Sequence, residues 1–257
     1  MSIYAVNGKE PIAAWIESRD TEAVTSAVAS DLISGTYPGT LTNMDLTADP
    51  DTARIADTGA GGTRALELDG VNDFVSLGTS AALSISGEMA ISCWYKSAGS
   101  YTQDQAIIGN CDSGGGLSNY ILTVGYTGQK VEWWNNAATP VAASSNNIAD
   151  TNWHHLAAVR SGSAGSWTIK IYVDGSLVAN TTTSQNPHGS TRPTSIGRFG
   201  AFGGYYTKGR IDDVRVWNQV IDATDVSYLY NSGAGRGRVA VTAETRRRRQ
   251  SVSGGVL

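Results

Sequence analysis

The sequence predicts an all-β fold made of two packed antiparallel sheets, and three observations carry that expectation. From Trp167 to Val173 apolar side chains recur at every second residue (Trp167, Ile169, Ile171, Val173), while Thr168, Lys170 and Tyr172 point the other way. That alternation marks a half-buried strand. Asp174-Gly175 follows at once and supplies the positive φ angles of a two-residue hairpin, so Ser176 to Ala179 return beside the first strand. Thirty glycines and only 16% charged residues suit short strands joined by turns rather than long amphipathic helices.

The elements follow in chain order. Residues 3 to 16 hold two short apolar runs, IYAV and IAAWI, separated by Asn7-Gly8 and Pro11, which read as edge strands or an arm. Residues 17 to 62 are rich in Thr, Ala, Ser, Asp and Gly and read as loop with a few short strands, Gly39 to Leu41 among them. Ala65 to Gly70 and Asp73 to Leu77 make two strands around a glycine turn. Met89 to Lys96 alternates again, with Met89, Ile91, Cys93 and Tyr95 on one face. Further strands are expected at Ala106 to Gly109, Tyr120 to Tyr126, Val131 to Asn135, His155 to Arg160, Ser195 to Arg198 and Gly209 to Trp217. One helix is expected, Ala223 to Asn231, capped by Asp222, with Asp225 in its first turn and Gly233 at its end.

At 257 residues the chain suits one large β domain. We expect an arm over residues 1–11, a domain over 12–233 and a tail over 234–257. No run of about 18 apolar residues is present to span a membrane, so a soluble protein is expected. MSIYAVNGKEPIAAW lacks a basic region followed by an apolar one, which predicts synthesis in the cytoplasm without a signal peptide. In that compartment Cys93 and Cys111 are expected as reduced, structural thiols. Net charge is −4, unevenly spread: from Ala234 onward six arginines face one acid, Glu244, a local +5 that leaves −9 on the rest.

Several motifs fall in a familiar order and spacing: ALELDGVNDFVSLG, MAISCWYKS, NWHHLAAVRSG, IKIYVDGSLVA, IGRFG and GRIDDVRVWNQVIDATDVSYLY. Together they resemble the concanavalin A-like, laminin G-like jelly rolls over about Ile12 to Asn231. DLISGTYPGTL, Asp31 to Leu41, is similar to the family's early Asp/Gly-rich turn, whereas Trp15-Ile16-Glu17 departs from the aromatic and acid that usually follow the Trp. The resemblance implies a two-sheet jelly roll that binds sugars or proteins, sometimes with calcium, and implies no enzyme.

Glycoside hydrolysis needs two carboxylates on one open face. Glu17, Asp20 and Glu22 lack clean alternation, adjacent Asp212 and Asp213 face opposite sides, and His154, His155 and His188 suit packing more than base chemistry. No catalytic residue is therefore assigned. Asp69, Asn72 and Asp73 cluster in one turn, with Asp212 across the sheet, and could offer oxygens to calcium; the competing reading is turn chemistry, in which Asp and Asn bond nearby backbone. For a ligand, Trp134, Asn135, Asn136, Tyr205 and Tyr206 set aromatic rings beside amides, with Trp133 on the opposite face from Trp134; ordinary core and rim is the rival account.

The tail arginines, Arg236, Arg238, Arg246, Arg247, Arg248 and Arg249, form a candidate attachment segment, and Val239 to Val241 could add a strand to a partner's sheet. Nucleic acid is disfavoured, because the arginines lack interleaved aromatics and the body is acidic. The leading expectation is a non-catalytic jelly roll docked on a large assembly of protein subunits, such as a phage head-decoration, head-fibre or tail protein on the virion surface. A lectin-like module reading surface glycans is the alternative, and a glycoside hydrolase the third.

Overall fold

The computed structural model describes residues 5–15, 26–46, 54–55, 64–113, 117–125 and 128–235. Its strands are β1 (Ala13–Trp15), β2 (Val28–Ala29), β3 (Gly39–Thr42), β4 (Arg54–Ile55), β5 (Ala65–Asp69), β6 (Phe74–Thr79), β7 (Met89–Ser97) and β8 (Gln105–Cys111). They continue as β9 (Ser118–Val124), β10 (Lys130–Trp134), β11 (Ala142–Asn147), β12 (Trp153–Ser163), β13 (Ser166–Val173), β14 (Ser176–Thr183), β15 (Pro193–Ile196) and β16 (Lys208–Trp217). One helix, α1 (Ala223–Tyr230), follows them.

The strands build two antiparallel sheets. The first runs β14-β13-β12-β7-β16-β5-β4, with β1 also paired to β16; the second runs β11-β10-β9-β8-β15-β6-β3-β2. Alternation decides what lies between them. On β7, Met89, Ile91, Cys93 and Tyr95 point inward, and on β10 Val131 and Trp133 meet them from the second sheet in one continuous core. The hairpin forms as the sequence requires: Asp174 and Gly175 take φ of 50° and 78°, and Val173 pairs with Ser176.

Arg160 is an unusual core member. It points inward from β12, is 0% exposed, and lies 5.4 Å from the Trp167 ring and 5.8 Å from the Trp133 ring. Its guanidinium donates to the carbonyls of Gly87, Asn119 and Ile85 and to Asn135 Oδ1, at 2.7 to 3.0 Å. Burial lowers its pKa to about 10, so it remains a cation held by neutral oxygens.

The outer face of the first sheet is half covered by α1 and the N-terminal segment. Val226 and Leu229 of the helix and Val6 pack on Ala90, Ala157, Val159, Tyr172 and Trp217. Asp222 caps the helix by accepting from the backbone of Thr224 and Asp225, and the Asp225 carboxylate accepts from the Asp222 amide in return. Lys9 and Asn7 both donate to Asp225, so residues 5–9, read as part of an arm, are tied into the folded body. Cys93 and Cys111 are buried and are not joined in a disulfide. No helix among the described residues is long and apolar enough to cross a membrane.

Candidate functional site

The outer face of the second sheet carries a compact aromatic surface. Strand alternation turns Ala106, Ile121 and Trp134 outward, and Cys111 joins them past a register shift in β8. Residues 197–207, between β15 and β16, fold down on this face. A Cβ added at Gly109 would lie 3.0 Å from Gly200 N and 3.2 Å from Phe199 Cα, so the loop touches the strand only because that side chain is missing. Bonds pin it at both ends: Ser195 Oγ donates to Gly200 O at 2.7 Å, and Thr207 Oγ1 to Ala106 O at 2.6 Å.

The pinned loop sets a row of rings. Trp134 meets Phe199 edge-on at 6.3 Å, Phe199 stacks on Tyr205 at 4.8 Å, and Tyr205 on Phe202 at 5.5 Å. Tyr205 is 37% exposed. Two of the expected ligand residues, Trp134 and Tyr205, are thus joined through Phe199, which the sequence reading did not single out. Tyr206 sits to one side, 6.3 Å from Phe74, over which Arg198 stacks at 3.6 Å.

The two asparagines behave differently from the expectation. Asn135 is corrected from ligand residue to core residue: it is 0% exposed, its Oδ1 accepts from Arg160 and from Trp133 Nε1, and its Nδ2 donates to Gln185 O. Asn136 turns the chain with φ 42°, its amide donating to Ser118 Oγ at 2.9 Å.

Beside the rings lies a carboxyl pair that the sequence reading missed. Glu132 shares the face of Trp134, two positions back on β10, and is 8% exposed. Burial, then the charge of nearby Asp104, push its pKa up to about 7, against hydrogen bonds from Trp134 and Thr123. Trp134 Nε1 also lies 3.2 Å from Thr123 Oγ1, so ring, hydroxyl and carboxyl form one network. The available signal was the i, i+2 spacing of Glu132 and Trp134; Asp104 comes from a distant loop and could not be read.

The calcium candidates do not converge. Asp69 Oδ1 accepts from the amides of Val71 and Asn72, and Asp73 Oδ2 from the amide of Asp69, which is turn chemistry. Burial raises the Asp73 pKa to about 6. Lys208 is the partner opposite Asp69, so Asp212 stands four residues away along β16, about 13 Å by strand rise. Asp212 is therefore corrected out of that group. Among the described residues no three His, Cys, Asp or Glu side chains are placed to hold a metal ion.

The other catalytic candidates are engaged elsewhere. Asp213 gives both carboxylate oxygens to Arg215, at 2.6 and 2.9 Å. His154 bridges Asp174 at 2.7 Å and Asp150 at 3.0 Å, and His155 is buried with its pKa pushed to about 3 by burial and by Arg215. Glu17, Asp20, Glu22, Val239 to Val241 and the arginines from Arg236 to Arg249 lie outside the described residues.

Two antiparallel sheets packed face to face around one core define a jelly-roll β-sandwich. The chain belongs to the concanavalin A-like lectin/glucanases superfamily, whose laminin G-type family model matches residues 69–227. Among solved structures it is similar to domain 4 of AbnA, a GH43 extracellular arabinanase from Geobacillus stearothermophilus, in complex with arabinotriose. The TM-score is 0.62 at 19% identity, over 85% of this chain and 97% of that one. It is also similar to Trypanosoma rangeli sialidase in complex with the inhibitor DANA, with TM-score 0.62 at 11% identity. That match covers 88% of this chain but spans only 33% of the sialidase. No curated protein sequence matches significantly.

Proposed function

We propose that this chain is a non-catalytic carbohydrate-binding module whose ligand surface is formed by Trp134, Tyr205 and Phe202, set in place by the buried Phe199 between them. The single observation that carries the reading is that row of rings, held on a rigid sheet by a pinned loop and flanked by the Glu132 carboxyl. Aromatic faces take up the apolar C–H face of a sugar ring, while neighbouring polar groups orient its hydroxyls. The likeness to an arabinanase domain in complex with arabinotriose supports a sugar ligand. Attachment to a larger assembly would depend on the arginine segment, whereas glycan recognition rests on side chains whose positions are described.

A glycan array probed with the full chain, followed by calorimetry on the best binder, tests the reading. Trp134→Ala and Tyr205→Ala should each weaken binding at least tenfold, about 1.4 kcal/mol, with the fold retained by circular dichroism. The bound oligosaccharide should be recovered uncleaved. Full affinity in both variants, or release of shorter sugars, would count against it.

A further inference from the structure

The first sheet carries a second, separate groove of about 390 Å³ on its outer face, lined by Glu67, Lys96, Ser97, Thr151, Gly209 and Arg210 among others. Register explains its composition. Arg210 lies directly opposite Glu67 on β5 and opposite Lys96 on β7, and Lys96 lies opposite Trp153 on β12. Acid, cation, cation and aromatic therefore form one cross-strand row. All four face outward, because Leu66, Leu68, Tyr95 and Ile211 beside them belong to the interior core.

Arg210 and Lys96 stand directly opposite each other on neighbouring strands. Here they form the floor of a concavity of the size that takes a small ligand. Arg210 is oriented by Glu67: Nε and Nη2 both donate to Oε1 at 3.2 Å, which leaves Oε2 to accept from a ligand hydroxyl. Gly209 admits no side chain, since its φ is 143° and a Cβ would lie 2.3 Å from Lys96 O, so the backbones of β16 and β7 meet closely beside the groove. Thr151, at the rim, is exposed.

We propose that this groove binds a carboxylate-bearing monosaccharide of the hexuronate class. The carboxylate sits between Lys96 and Arg210, and hydroxyls meet Glu67 and Thr151. The proposal does not depend on the aromatic surface of the second sheet.

Titration of the full chain with glucuronate, glucose and inorganic phosphate, followed by calorimetry and by NMR shifts of residues 96–98 and 209–210, tests it. Glucuronate is expected to bind at least tenfold more tightly than glucose or phosphate. Lys96→Gln and Arg210→Gln should each lower that affinity at least tenfold. Absence of glucuronate binding, equal binding of glucose or phosphate, or full affinity in both charge variants overturns the proposal. Because Lys96→Gln leaves the Glu67–Arg210 pair intact, it keeps the test decisive where Arg210→Gln disturbs folding.

Discussion

Trp134 and Asn135 are adjacent in sequence and occupy opposite environments. The rule that separates Trp133 from Trp134 also turns Asn135 inward, and the structure follows it: Trp133 and Asn135 are both 0% exposed. Grouping Asn135 with a ligand surface ignored that parity. Its role is to complete the shell of neutral acceptors around Arg160, a position from which it touches no surface. Asn135→Ala should therefore cost about 2 to 3 kcal/mol in urea unfolding, because it strips acceptors from a buried guanidinium and from Trp133 Nε1. Glycan affinity should not change. A variant of normal stability with lost glycan binding would reverse this assignment.

At the scale of elements, what is legible in sequence is whatever is local. The alternation from Met89 and from Trp167, the Asp174-Gly175 turn and the Asp222 cap each depend on a few neighbouring residues, and each appears as expected. β11, by contrast, is Ala-Ala-Ser-Ser-Asn-Asn, with no apolar alternation; it pairs with β10 and is a strand through that context. The candidate site was half legible for the same reason. Trp134 and Tyr205 show as aromatics, but Phe199 acquires its place only when the loop lands on Gly109, and Asp104 meets Glu132 only in the folded sheet.

The helix cap permits a graded test. Asp222 is exposed, and Asp222→Ala should cost about 1 kcal/mol, the usual value of an N-cap. Asp225 is 1% exposed and receives Asn7, Lys9 and the Asp222 amide. Removing it breaks the three bonds that tie the N-terminal segment and the N-cap to the first turn, so Asp225→Ala should cost at least twice as much in the same denaturation assay. Equal losses would mean that the N-terminal segment adds nothing to the helix.

For the whole molecule, the buried titratable groups set an unusual pH profile. Glu132 has its pKa raised from 4.5 to about 7, so the stability of its protonated folded form is lost as pH climbs across that interval. Asp73, raised from 3.8 to about 6, acts in the same direction. His155, depressed from 6.5 to about 3, opposes them: its contribution is present above 6.5 and is lost as pH falls toward 3. His154 is raised above 6.5, chiefly by its hydrogen bond to Asp174, so its contribution is present below 6.5 and lost as pH rises through the folded value. On the acid side Asp150, held at about 2 by Asn152 and His154 against burial, loses its contribution as pH falls below 3.8. Between pH 4.5 and 6 two falling contributions meet one rising, and above 6.5 only falling ones remain. Stability should therefore peak near pH 4.5 and drop by about 2 to 3 kcal/mol by pH 8, at roughly 1.4 kcal/mol per unit for each net proton. Urea midpoints at pH 4.5, 6 and 8 measure the profile, and Glu132→Gln should flatten it between 4.5 and 7. Midpoints that rise steadily from pH 4.5 to 8 would show that the Glu132 carboxyl is solvated and ionised in the native protein, and with it that the polar flank of the aromatic row is differently built.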